Sequence, residues 1–186
     1  NITSKSWQML ANALKSMENL TEFQFYGAYN HEFQSIAKSF KEWKRLEIID
    51  LEFWAGKFDS GFLQGLSESF DQSLTKFCLR IHYFDLREPG VDNFLPKLQS
   101  LSRLKSFRLE VFPARGLKDR FFLLLSDSLK FMANLQNLEI SLLIDQKTTP
   151  TITSQSLEAL FSAIKGLVKL EKLHFDLDLG LPNQPW

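Results

Sequence analysis

The chain has 186 residues, 22 of them basic and 22 acidic, and 44% of it is hydrophobic. This composition suits one folded unit with a real core and excludes a disordered chain. Zero formal net charge removes the electrostatic attraction behind non-specific binding to phosphate backbones, so nucleic acid is not expected as a partner.

Taken in chain order, Leu10, Ala13, Leu14 and Met17 recur at spacings of three and four residues and predict a first helix. Leu20-x-x-Phe23-x-Phe25 follows, where the spacing shortens from three to two. Phe33, Ile36, Ala37 and Phe40 predict a second helix, followed by Leu46-x-x-Ile49-x-Leu51. Phe62, Leu63, Leu66 and Phe70 lead to Leu74-x-x-Phe77-x-Leu79. Phe94, Leu95, Leu98 and Leu101 lead to Leu104-x-x-Phe107-x-Leu109. Phe121, Phe122, Leu125 and Leu129 precede Leu135-x-x-Leu138-x-Ile140. Leu157, Leu160, Phe161 and Ile164 precede Leu170-x-x-Leu173-x-Phe175. Six copies whose first positions lie 26 to 35 residues apart define a repeated unit of helix, tight loop and short strand.

A strand regained only through a helical crossover lies parallel to its predecessor. The expected architecture is therefore α/β: a solenoid of about six units, with a parallel sheet on the concave side and helices behind it. Ser60, Asp92 and Thr153 stand where helix N-caps are expected. Pro96 is placed about one turn into its helix, where its missing N–H costs least. His82 to Asp92 and Asp145 to Thr153 read as long surface loops, rich in turn formers.

This unit, L-x-x-L-x-L with a full helix per copy, resembles the leucine-rich repeat family and its ribonuclease-inhibitor-like subclass, over about Trp7 to Leu179. The family pattern puts Asn or Cys three residues after the last strand position. Here those places hold Ala28, Trp54, His82, Phe112, Leu143 and Asp178, so the repeats are degenerate. The resemblance implies protein recognition through the strand face, with no shared catalytic residue and no cofactor. Residues 1–186 are read as one solenoid and, because the chain opens in a helical pattern and closes after a strand at "LGLPNQPW", as part of a longer array.

With the inward positions fixed by a period of two, the outward ones can be read off. They are acidic and polar at Glu22, Gln24, Asp50 and Glu52, then basic at Lys76, Arg80 and Arg108. Glu110 and Glu139 follow, and the last copy carries Lys172, His174 and Asp176. These twelve residues are the candidate partner-binding set, and their charge sequence could select a complementary partner. Cys78 reads as an ordinary thiol; on the same face as Lys76 and Arg80, those charges would favour a thiolate instead. As the single cysteine it excludes an intramolecular disulfide and a cysteine zinc site and favours a reducing compartment. The triplets Asn1-Ile2-Thr3 and Asn19-Leu20-Thr21 have the form of glycosylation acceptors and point the other way. His31, His82 and His174 lack metal-ligand spacing, and only His174-x-Asp176 puts a histidine and a carboxylate on one face. No phosphate loop, nucleophile elbow or kinase signature is present.

Seven basic residues, Lys97, Arg103, Lys105, Arg108, Arg115, Lys118 and Arg120, stand against Glu110 and Asp119 over 97–120, which suits an acidic protein surface such as a tubulin-like polymer. The longest apolar run, Phe121 to Leu125, is far short of the roughly 20 residues a membrane span needs. The expected function is that of a non-enzymatic scaffold or structural subunit in a multiprotein assembly, cytoplasmic and in a cytoskeletal or ciliary setting. The alternatives are a GTPase-activating protein, or the substrate-recognition segment of a larger ubiquitin-ligase or kinase protein.

Overall fold

The computed structural model describes residues 3–28, 33–54, 60–68, 70, 73–144 and 151–178. Helices and strands alternate: α1 (Ser4–Lys15), β1 (Glu22–Gly27), α2 (Phe33–Ala37), β2 (Ile48–Phe53), α3 (Ser60–Ser67), β3 (Lys76–Asp85), α4 (Pro89–Lys97), β4 (Ser106–Arg115), α5 (Asp119–Leu129), β5 (Asn137–Ile144), α6 (Ser154–Lys165) and β6 (Lys172–Asp178). The six strands form one parallel sheet in the order β1-β2-β3-β4-β5-β6. The fold is α/β.

The change of spacing inside each copy has a backbone cause. The amide of the first leucine donates to the carbonyl three residues earlier in Met17–Leu20, Trp43–Leu46, Leu101–Leu104, Met132–Leu135 and Leu167–Leu170, which closes a turn between helix and strand. One residue later the backbone docks on its neighbour: the carbonyls of Thr21, Glu47, Thr75, Lys105 and Gln136 each accept two amides from the next unit. The spacing of three thus belongs to the turn and the spacing of two to the strand it launches.

Residues of one parity on the strands and the apolar faces of the helices form a single core. Ile49, Phe77, Phe107 and Leu138, aligned across β2 to β5, are at most 1% exposed. The helices are also tied to one another: Ser128 Oγ donates to the Leu95 carbonyl at 2.5 Å, and Ser126 Oγ donates to the Ala159 carbonyl at 2.9 Å. These two buried hydroxyls bond α5 to α4 on one side and to α6 on the other, which satisfies polar groups that would otherwise be costly in a core.

Several expectations change. In α1 the buried residues are Trp7, Ala11 and Leu14, while Leu10 and Met17 are nearly half exposed. Both sets have helical spacing, and Trp7 wins because its ring packs on Phe25 at 5.9 Å. In the last copy Leu173 and Phe161 are about half exposed because no further unit covers them among the described residues. Thr153 caps α6 by accepting the Ser156 amide, as expected. Asp92 does not cap: α4 starts at Pro89, and Asp92 lies in its first turn, held by Arg120 at 2.7 Å. Pro96 therefore falls in the last turn of α4, before a 3-10 turn at Leu98–Ser100. Thr3, which helical spacing does not mark, caps α1 by accepting the Ser6 amide.

The segment from His82 is not all loop. β3 continues through Asp85 and β4 through Arg115, so only Leu86 to Glu88 connect β3 to α4. In this extension His82 pairs with Phe112 and Phe84 with Ala114, and Tyr83 between them has φ 63°. Left-handed backbone at an aromatic residue is uncommon, and it is tolerated here in an irregular stretch where the β4–β5 register also shifts. Of the second expected loop, residues 145–150 lie outside the described residues, as do His31 and the closing "LGLPNQPW".

Candidate functional site: the polar face of the sheet

Parallel pairing in register lays the outward side chains in rows across the strands. Glu22, Ile48, Lys76, Ser106, Asn137 and Lys172 form the first row. Gln24, Asp50, Cys78, Arg108, Glu139 and His174 form the second, and Tyr26, Glu52, Arg80, Glu110, Ser141 and Asp176 the third. All twelve candidate residues therefore share one face.

The middle of that face is occupied by its own ion pairs. Arg80 reaches back over β2, with Nε 2.8 Å from Glu52 Oε2 and Nη2 3.0 Å from Asp50 Oδ1. Its guanidinium lies 5.5 Å from the Tyr26 ring centroid, within cation–π range. Arg108 Nε donates to Glu110 Oε1 at 2.7 Å and sits 3.3 Å from Glu139 Oε2. Asp50 and Glu110 are buried as a result, and Cys78 between the two arginines is only 1% exposed. The centre is thus a cross-linked floor and not the uniformly solvated face that alternation suggests. At the edges, Glu22 accepts from Gln24 at 2.6 Å and Gln24 from Tyr26 at 3.1 Å.

Cys78 is a buried thiol, and the neighbouring cations do not make it a thiolate. Burial pushes its thiol up to about 12, Asp50 adds to the rise, and the charges of Arg80 and Arg108 oppose it only in part. In the native protein Cys78 should resist a thiol reagent at about pH 8 and react fully once urea unfolds the chain, as followed by absorbance of the released chromophore. Fast native labelling would contradict this burial.

Among the described residues three carboxyls are held low. At Glu52 burial acts upward, but the indole N–H of Trp54 and then the charge and hydrogen bonds of Arg80 outweigh it and hold the group below 4.5. Hydrogen bonds from Arg87 hold Asp85 below 3.8. Bonds from Ser156 and Thr153 hold Asp119 below 3.8, across the N-termini of α5 and α6. A carboxyl that is more acidic folded than unfolded stabilises the fold fully above its unfolded pKa, and that stability is lost as pH falls through the lowered folded value. Urea midpoints should therefore stay level near neutrality and drop below about pH 4. Glu52→Gln should make the drop smaller.

The basic segment over 97–120 does not form one patch. Arg120 is paired with Asp92, Arg108 with Glu110 and Glu139, and the remaining charges are divided among helix, strand and turn. His82 Nε2 lies 3.8 Å from Glu52 Oε1, while His174 stands exposed on β6. Among the described residues no group of three or more His, Cys, Asp or Glu could hold a metal ion, and no helix is long and apolar enough to cross a membrane.

Over the floor lies a hollow of about 350 Å³, reaching from Asp50 on β2 to Lys172 and His174 on β6. Its lining includes two lysines that stand outside the tight ion pairs of the floor. Lys76 is 4.0 Å from Asp50, a loose contact, and Lys172 is exposed. Beyond the third row the face turns aromatic: Trp54, 52% exposed, donates to Glu52, and His82 and Phe112 lie with ring centroids 6.1 Å apart. Trp54 is not among the candidate residues. The available signal was the position three residues after the strand motif, which carries Trp54, His82 and Phe112 in three successive copies. No family model and no curated protein matches the chain.

Proposed function

We propose that the chain is a leucine-rich-repeat-like solenoid acting as a non-enzymatic protein-recognition module within a multiprotein assembly. The observation that carries this reading is the division of labour on the polar face. Arg80 and Arg108 are committed to Asp50, Glu52, Glu110 and Glu139, which makes the floor rigid, while Lys76 and Lys172 keep their charge available at the rim of the hollow. A preorganised face loses little side-chain freedom on binding, and rim charges guide encounter and register.

Lys76 and Lys172 share a row and are three strands apart, a span of about 14 Å at the usual strand spacing. That span fits a partner surface bearing two carboxylates at similar separation, as an extended acidic segment has at residues four apart. Sizing of the endogenous protein under gentle extraction, with lysine cross-linking and mass spectrometry on the same fractions, tests the reading. Cross-links from Lys76 and Lys172 to another protein in a large particle are expected. A small species whose lysines link only within the chain would overturn the proposal. Lys76→Gln with Lys172→Gln should release the partner with little change in thermal unfolding, because neither lysine is buried and Lys76 makes only a loose contact with Asp50.

A further inference from the structure

The hollow over the polar face has a cause in side-chain length. The first row runs Lys76, Ser106, Asn137 and Lys172 across β3 to β6, so two short side chains stand between two long ones. All four line the hollow. Ser106 and Asn137 are half-buried, and among the described residues neither side chain has a hydrogen-bond partner. They present a hydroxyl and a primary amide, groups that both donate and accept. Covering such a pair without bonding it is costly, so what lies over it has to be polar.

The same place is not built for a charge. Arg108, which borders it, is held by Glu110 and Glu139, and Arg80 is held by Asp50 and Glu52. The floor below thus carries more carboxylates than guanidiniums. A phosphoryl group there would face that excess with about two negative charges of its own.

We propose that the residue the hollow admits is a glutamine, within an extended partner segment of the form Glu-x-Gln-x-Glu. The inference rests on the reading of Lys76 and Lys172 as the partner contact, and it names what lies between them. Alternate residues of an extended chain point the same way, about 7 Å apart. With a glutamate over each lysine, the residue midway descends between β4 and β5, onto Ser106 and Asn137. It has to reach from lysine height down to short side chains, which glutamine does and serine or asparagine does not. Its amide bonds reciprocally with that of Asn137: each N–H donates to the other's carbonyl, and the Ser106 hydroxyl adds a third bond. Leucine fills the same space but seals both polar groups without partners.

Titration of the isotope-labelled full chain with the peptides Glu-Thr-Gln-Thr-Glu, Glu-Thr-Leu-Thr-Glu and their phosphoserine-centred counterpart tests this, with dissociation constants taken from amide chemical shifts. The glutamine peptide should bind about tenfold more tightly than the leucine peptide. Asn137→Leu should abolish that preference, and Ser106→Ala, a smaller change, should reduce it. Equal affinity for the glutamine and leucine peptides, or tighter binding of the phosphoserine peptide, would overturn the inference and leave the lysine reading standing. Absence of binding by all three would remove both.

Discussion

Replacing Trp43 with alanine should lower the free energy of unfolding by about 4 kcal/mol. The side chain is fully buried, and its ring lies 5.2 Å from Phe40 and 5.4 Å from Phe23, centroid to centroid. Its indole N–H donates to the Leu14 carbonyl at 2.7 Å. That carbonyl, in the last turn of α1, also accepts the Met17 amide at 3.0 Å, so the indole supplies its second hydrogen bond. One residue thus fills a cavity between two units and closes the C-terminal end of the first helix. Trp43→Phe should separate the two contributions, keeping most of the packing and removing only the indole hydrogen bond, at a cost of about 0.5–1.5 kcal/mol. Urea unfolding followed by circular dichroism measures both. Equal losses for alanine and phenylalanine would mean that the hydrogen bond and not the ring is what holds the site.

Arg80→Met should cost about 3 kcal/mol, because it leaves two carboxylates on a largely covered floor without their counter-charge. Asp50 and Arg80 side chains are only 10% and 15% exposed, so solvent screens this cluster far less than a surface pair. Removing the carboxylates together with the arginine, by adding Asp50→Asn and Glu52→Gln, should restore most of the loss. A cluster that was merely decorative would show neither the loss nor the recovery. The same reasoning bears on any binding study of this face. Reversing Arg80 or Arg108 to glutamate would disturb the floor itself, so lost binding would not identify a contact, whereas Lys76 and Lys172 can be changed cleanly.

The strand starts were legible because each follows its motif leucine by two residues, at Glu22, Ile48, Lys76, Ser106, Asn137 and Lys172. A turn closed by one hydrogen bond and a doubly accepting carbonyl leave the chain no other place to begin pairing. The far ends of β3 and β4 were less readable. The His82 to Asp92 stretch holds Pro89 and Gly90, and β4 holds Pro113, which argue for a turn, yet the two extensions support each other by pairing His82 with Phe112 and Asp85 with Arg115. Pairing between units decides the outcome there, and local propensity cannot report it. The α1 face was ambiguous for a related reason: two apolar stripes overlap, and only contact with Phe25 selects the one through Trp7. On the polar face, membership was readable from alternation, but the pairing was not. Arg80 and Asp50 are 30 residues apart and meet diagonally across a strand boundary, a relation that exists only once register is fixed.

Every strand pairs only with its neighbours in the chain, and the two longest, β3 and β4 with ten residues each, stand in the middle. Among the described residues no segment is threaded between two distant ones, so the sheet can come apart from either end like a zip and leave the remainder paired. Amide protons should exchange fastest on β1 and β6 and slowest where β3 meets β4, giving a gradient of protection along the chain in place of one shared opening event.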